Sequence, residues 1–240
     1  MVDGLTTAKL GTPDYQKAVE QHKQYVSALK ECGVKVEELK ADERFPDSTF
    51  VEDVALLTPH CAIITNPGAP SRKGEVNAMK NVIQSYYSDL EEITAPGTVE
   101  AGDIMMVGDH YYIGLSDRTN QIGAEQVIQI LNKYGMSGSV IEVGEILHLK
   151  TGMSYLENDT IVACREFSSH PELDKFTIIE VPEEESYAAN CIWINGTVIV
   201  PEGFPVTKQK IEKAGYSTIA VNVSEFQKLD GGLSCLSLRF

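Results

Sequence analysis

Basic residues are scarce in this chain of 240 residues: 20 lysines and arginines stand against 35 aspartates and glutamates, for a formal net charge of −15. That deficit argues against a nucleic-acid partner, because a phosphate backbone demands a basic face, whereas an acidic field favours cationic ligands. Long apolar runs are missing as well. No stretch approaches the roughly 20 apolar residues of a membrane span, and residues 1–20 lack the core of a signal peptide. Cysteines number five, an odd count, at Cys32, Cys61, Cys164, Cys191 and Cys235, with no CxxC pair among them. Zinc sites and secreted disulfide frameworks fit that pattern poorly; reduced thiols in the cytoplasm fit it well. Three Asn-X-Ser/Thr triplets, beginning at Asn158, Asn195 and Asn222, carry no weight without a secretion signal. What is present is globular: 42% hydrophobic residues spread along the whole chain, enough for one large domain or two small ones.

Helix stops organise the sequence. One amphipathic helix follows Thr12-Pro13, with Thr12 as N-cap, and ends at Gly33; Tyr15, Ala18, Val19, Val26 and Leu29 share a face. A second runs from about Glu75 to Tyr87, with Val76, Met79, Val82 and Ile83 inward. A third covers about Ala124 to Tyr134 before Gly135, and a fourth about Lys208 to Ala214, capped by Thr207 and stopped by Gly215. Between them lie paired apolar runs: Val54–Leu57 with Ala62–Thr65, Ile104–Val107 with Tyr111–Gly114, and Ile192–Ile194 with Val198–Val200 across Asn195-Gly196. Asn158-Asp159 similarly precedes Thr160–Ala163. These are hairpin signals, Asn-Gly the strongest. Val34–Val36, Ser139–Val143 and Thr218–Val221 each add a strand-like run after a helix. The unit is hairpin, helix, strand, recurring roughly every 40–50 residues, as in arrays and propellers. An ordinary α/β sheet is the alternative.

Four places put polar groups where such a unit is otherwise apolar. Asp47-Ser48-Thr49-Phe50-Val51-Glu52-Asp53 runs acids into an apolar strand, and carboxylates entering a core require a cationic partner, which a ligand can supply. Val99-Glu100-Ala101-Gly102-Asp103 repeats the pattern. His148 lies between Leu147 and Leu149 in a strand-like run, where a hydrogen-bonded core histidine is the common outcome. Asp230-Gly231-Gly232-Leu233-Ser234-Cys235 places two glycines before a cysteine, a tight turn able to present a thiol. Read singly, Cys235 serves equally well as a small buried hydrophobe. Cysteine, histidine and carboxylate spread over separate repeats can also form a nucleophile, base and orienter.

Taken in order, Asp47–Asp53, Glu100–Asp103, His148-Leu149-Lys150-Thr151-Gly152 and Gly231–Cys235, with Val2–Thr6 and Glu183–Cys191, resemble the dimethylarginine dimethylaminohydrolases of the guanidine-modifying, pentein superfamily. The likeness covers essentially the whole chain. It implies an α/β fold of five blades, a pseudo-fivefold propeller forming a single catalytic domain over 1–240. It further implies Cys235 as nucleophile, His148 as general acid and base, and Glu100 as the acid that orients His148. Glu52 and Asp53 would face the guanidinium, with Asp53 the main anchor, while Arg72 and Arg118 clasp the α-carboxylate. Asp47 and the Leu5 carbonyl would receive the α-amino group, and Phe50, Leu229 and Asp230 would line the pocket. No metal or other cofactor is implied, and the partner is a small cationic substrate, with no nucleic acid and no membrane. The likeness leaves room for a homodimer, though no residue argues for one.

Related deiminases and amidinotransferases carry an aspartate two residues after the histidine; here that position is Lys150. Losing that acceptor disfavours an unsubstituted guanidinium and leaves space for methyl groups, so methylated arginine is expected over arginine. The family pattern also begins with a strand ahead of the segment matching Val2–Thr6, and its apparent absence here is expected to weaken closure of the ring. Arginine deiminase chemistry is the enzymatic alternative, and a non-catalytic binding scaffold is the alternative from another class.

Overall fold

The computed structural model describes residues 1–144 and 146–240. Among these described residues twelve strands form four sheets of three, and each sheet is built the same way. An antiparallel hairpin comes first, and a third strand then pairs in parallel with the hairpin's second strand. A parallel neighbour cannot be reached by a tight turn, so a helical crossover intervenes. The expected recurring unit is therefore present.

Two compact units share the chain. One contains Asp47–Lys150 with Cys235–Phe240, the other Met1–Pro46 with Thr151–Ser234. In the second unit, α1 (Tyr15–Glu31) begins at Asp14, whose carboxylate accepts the N–H groups of Gln16 and Lys17. The cap is thus Asp14 rather than Thr12, because a carboxylate there reaches two orphan donors. Tyr15, expected to face inward, is 56% exposed; Ala18, Gln21, Tyr25, Val26, Ala28 and Leu29 form the buried face.

The Asp47–Lys150 unit holds two sheets. Strands β1 (Ala55–Leu57) and β2 (Ala62–Ile64) lead through α2 (Glu75–Ile83) to β3 (Leu90–Glu92). Strands β4 (Ile104–Val107) and β5 (His110–Leu115) lead through α3 (Gln121–Lys133) to β6 (Ser137–Glu142). Both strands of the first hairpin are buried along their length, which is why they read as continuous apolar runs. Helix α2 ends four residues earlier than expected, and α3 starts three earlier, at an Asn120 cap that accepts Gly123 N–H.

The other unit repeats the plan. After α4 (Leu149–Gly152), strands β7 (Met153–Tyr155) and β8 (Thr160–Cys164) lead through α5 (Arg165–Ser168) to β9 (Thr177–Val181). Strands β10 (Ile192–Ile194) and β11 (Thr197–Pro201) lead through α6 (Pro205–Lys213) to β12 (Ser217–Val221), and α7 (Ser224–Gln227) follows. The Asn195-Gly196 turn has φ of +48° and +86°, the mirror-image turn that a right-twisted hairpin requires.

Two expectations are overturned by pairing. Val34–Val36 is not a strand: among the described residues no hairpin offers it an edge, and an extended run without one gains no ladder. Leu147–Leu149 is not a strand either, since Leu149 opens α4 and His148 is the residue before it. A third concerns α6, which starts at Pro205 and contains Thr207 rather than being capped by it. The orphan N–H groups of Val206 and Thr207 go instead to the Glu185 carboxylate, at 3.0 and 2.6 Å. That carboxylate lies below its usual range: burial opposes ionisation, and the Thr207 and Val206 hydrogen bonds and Lys210 outweigh it. Glu185→Ala is expected to destabilise the chain by about 1–2 kcal/mol in urea unfolding near neutral pH. The difference should shrink as pH falls through the carboxylate range, because the depressed group stabilises only while ionised.

Candidate active site

Each repeat opens with a short helical turn just ahead of its first strand, and the chemically interesting residues sit in these turns. Glu52 and Asp53 lie in Val51–Val54 before β1, and Gly102 and Asp103 lie in Ala101–Asp103 before β4, with Glu100 as its N-cap. His148 precedes α4, and Cys235 lies in the turn Ser234–Leu236. The turns ahead of the first three repeats thus carry acid, acid and imidazole, while the turn bearing Cys235 follows β12 with no described strand after it. The equivalence of those three turns is a property of the repeat and leaves no mark in residue spacing.

Within the Asp47–Lys150 unit the contacts are direct. The His148 ring meets Glu100 Oε2 through Nε2 at 2.9 Å, and both residues are buried. The other Glu100 oxygen accepts the Ala69 N–H at 3.1 Å and faces Arg118 Nη1 at 3.5 Å. Asp53 Oδ1 accepts the Gly102 N–H at 3.1 Å, and Oδ2 takes Arg72 Nη1. Gly102 makes this convergence possible: a Cβ there would stand 2.6 Å from Asp53 Oδ1 and 2.9 Å from His148 Nδ1. Any side chain would force acid and imidazole apart.

Arg72 is paired with acids and backbone carbonyls of the same unit. Its Nη2 reaches Glu75 at 2.8 Å, the Phe50 carbonyl at 2.9 Å and the Asp47 carbonyl at 3.3 Å, and Nε also faces Glu75. Asp47 and Phe50 therefore enter the cluster through their backbone oxygens. A buried guanidinium is tolerated because Asp53 and Glu75 pair with it. Burial opposes its charge, and those acids and Glu100 reverse the balance, so Arg72 is held even more firmly as a cation.

Asp103 is the acid that the sequence reading quoted without assigning a role. It is completely buried and accepts three hydrogen bonds: Ser116 Oγ at 2.7 Å, Thr119 Oγ1 at 2.6 Å and the Leu149 N–H at 3.0 Å. The last of these fixes the backbone next to His148. Burial pushes the Asp103 carboxyl up, against His148 and these donors. For His148, burial alone would lower the pKa, but Asp103, Asp53 and Glu100 raise it to about 9. Glu100 moves the other way: burial would raise it, and the His148 hydrogen bond and charge, with Arg72 and Arg118, bring it to about 2. The pair is thus imidazolium and carboxylate at neutrality.

Asp53, Glu100 and His148 offer donor atoms within 4.8 Å of one another, a spacing a metal ion could use. Their facing atoms are already committed, Asp53 to Gly102 and Arg72, and His148 Nε2 to Glu100.

Cys235 is buried and belongs, with Leu236–Phe240, to this same compact unit. The other unit fixes the residue before it: Asn190 Oδ1 accepts the Ser234 N–H at 2.9 Å and Asn190 Nδ2 donates to Ser234 Oγ at 3.1 Å. Gly232 is needed because a Cβ would fall 2.4 Å from the Asn190 side chain, and neither Gly231 nor Gly232 has a positive φ. Gly232 thus serves close packing against Asn190. Leu5, Leu229 and Asp230 lie in that unit too. Leu5 is exposed and Leu229 buried, and the Asp230 carboxylate accepts the N–H and hydroxyl of Thr7 from a residue with φ of +59°. Among the described residues all five cysteines are free thiols, and no helix is long and apolar enough to cross a membrane.

Comparison with known proteins agrees with this geometry. The family described as "N,N dimethylarginine dimethylhydrolase, eukaryotic" matches residues 11–237. The N(G),N(G)-dimethylarginine dimethylaminohydrolase of Pseudomonas aeruginosa is 58% identical over 241 residues, covering 100% of this chain and 95% of that protein. A crystal structure of the Pseudomonas aeruginosa enzyme, a cysteine-to-serine mutant complexed with citrulline, superposes with a TM-score of 0.98 at 58% identity, covering 100% of this chain and 94% of that one. The N-terminal domain of a cyanobacterial arginine dihydrolase shares the fold alone, with a TM-score of 0.89 at 20% identity, covering 99% of this chain and 94% of that one.

Titrating His148 by NMR is expected to give a midpoint near 9, and Glu100→Gln is expected to lower it by more than about one unit, since a hydrogen-bonded buried carboxylate is worth at least that. The raised imidazole stabilises the fold fully below its ordinary 6.5 and loses that contribution as pH rises through about 9. The depressed Glu100 stabilises above its ordinary 4.5 and loses its contribution as pH falls through about 2.

Proposed function

This chain belongs to the dimethylarginine dimethylaminohydrolase family, within the pentein superfamily, and we propose a residue-level account of how it performs that family's reaction. The activity is hydrolysis of Nω-methylated arginine to citrulline and an amine. Cys235 attacks the guanidino carbon as a thiolate. A guanidinium carbon is a poor electrophile, so attack requires the thiolate and a proton for the departing amine. His148 holds that proton: with its pKa at about 9 it is an imidazolium at neutral pH, poised as a general acid. The tetrahedral adduct collapses, the carbon–nitrogen bond to dimethylamine or methylamine breaks, and His148 protonates the leaving nitrogen. A thiouronium remains on Cys235. Neutral His148 then takes a proton from water, the hydroxide adds to the same carbon, and loss of the thiolate releases citrulline.

The surrounding acids have separate tasks in this account. Glu100 orients His148 and stabilises its charged form, as the 2.9 Å contact supports. Asp53 and Glu52 supply negative charge for the guanidinium, with Asp53 the main anchor and Arg72 holding it in place. Arg118, whose side chain is partly exposed, receives the substrate carboxylate together with Arg72, and Asp47 receives the α-amino group. Lys150, two residues after His148, gives its ammonium to Glu52 at 2.6 Å. A cation where a deiminase would present an acceptor supports the preference for methylated over unsubstituted arginine. Five free thiols fit a reducing cytoplasm as the working compartment.

The observation that carries this reading is the buried His148–Glu100 pair, with Asp53 beside it, in the same compact unit as Cys235. Supplying asymmetric dimethylarginine, monomethylarginine and arginine separately and measuring citrulline tests it. Both methylated substrates should turn over, with arginine at least about tenfold poorer in kcat/KM. Cys235→Ser should lose about three orders of magnitude or more in kcat. Citrulline formed faster from arginine would favour deiminase chemistry instead.

A further inference from the structure

Glu52 carries more than one partner. Its Oε1 lies 2.6 Å from Lys150 Nζ and 3.1 Å from Arg239 Nη2, with the carboxylate nearly inaccessible to solvent. The two cations come from different places in the chain. Lys150 is two residues beyond His148, at the start of α4, and Arg239 is four residues beyond Cys235. One buried carboxylate therefore ties down the segment bearing the proposed acid–base and the segment bearing the proposed nucleophile. The second segment is held at two further points: Leu238 packs against the apolar cluster around Val54, Ala55, Met79 and Ile83, and the Phe240 ring meets Tyr86 and Tyr87 edge-on at 5.2 and 5.6 Å.

We propose that Lys150 and Arg239 are positioning residues, which through their shared partner Glu52 set the His148 and Cys235 segments relative to the guanidinium-binding acids. The proposal rests on the functional reading above and adds to it a role for two residues outside the reacting set. Charge sharing is the physical reason. A buried carboxylate with a single cation retains unsatisfied lone pairs, whereas two cations on Oε1 bind both strands of chain to one point. Small displacements of a nucleophile are costly to a reaction that depends on near-attack geometry. Substrate affinity responds differently. Removing either cation leaves Glu52 more negative, and a cationic substrate is then bound no more weakly.

The test uses the full-length chain and asymmetric dimethylarginine. Arg239→Gln and Lys150→Gln are each expected to lower kcat about tenfold with KM unchanged or reduced, while Arg239→Lys, which preserves the charge, stays within about threefold of the parent. In a Glu52→Gln background, adding Arg239→Gln should change kcat less than about twofold, because the partner through which it acts is gone. Parent-like kcat in Arg239→Gln, or an undiminished further loss in the Glu52→Gln background, would overturn the proposal. Should Arg239→Gln fail to fold by circular dichroism, Lys150→Gln carries the same test from the other side of Glu52. If the parent chain does not turn over dimethylarginine, the functional reading fails separately. The positioning claim is then read from the rate at which iodoacetamide alkylates Cys235, expected to change at least about threefold in the folded glutamine variants and, if unchanged, overturning it.

Discussion

A positively charged imidazole buried against a carboxylate is the constraint on which the rest of this site depends. His148 and Glu100 are both nearly sealed from solvent, and neither charge would survive there alone. Together they persist because the neighbourhood is organised around them. Asp53 and Asp103 add negative charge beside the ring, Ser116, Thr119 and the Leu149 N–H hold Asp103 in place, and Arg72 prevents the acids from accumulating uncompensated charge. Gly102 permits the close approach that makes the arrangement dense enough to work. In the proposed mechanism the imidazole begins protonated and then gives and reclaims a proton.

The repeat explains how such a cluster is assembled from distant sequence. Each three-stranded module is preceded by a short helical turn, and the first three of these bring in Asp53, Glu100 with Asp103, and His148. A turn before a buried strand is a place where backbone donors and side chains remain available while the following strand is anchored by its sheet. Function here is grafted onto positions that the fold repeats, so different chemistries can be reached by changing the residues in a few turns. The identity of position 150 illustrates the point, since a lysine paired with Glu52 presents a substrate with a different surface from an aspartate.

Much of the fold was legible because hairpin turns and helix periodicity are local. Asn195-Gly196 marked its hairpin correctly, the runs Ile104–Val107 and Tyr111–Gly114 do pair, and the recurrence of hairpin, helix and strand was visible throughout. Errors came where a distant partner decides the outcome. Val34–Val36 has no described edge to join, Thr207 lost its capping role to Glu185 more than twenty residues away, and Gly232 answers to Asn190. For the site, Glu100 and His148 were identified and do touch. Asp103, Arg239 and the Lys150–Glu52 pair were not assigned, because a buried acid held by two hydroxyls and an arginine near Phe240 look ordinary until tertiary contacts are known.

Cys235 is the thiol proposed to meet a cationic, planar carbon. Incubating the chain with 2-chloroacetamidine and mapping the modified peptide by mass spectrometry tests that directly. Amidination should occur at Cys235 in preference to Cys32, Cys61, Cys164 and Cys191, and dimethylarginine should slow it. Modification spread over the other cysteines, or labelling of Cys235 that dimethylarginine leaves unaffected, would contradict it.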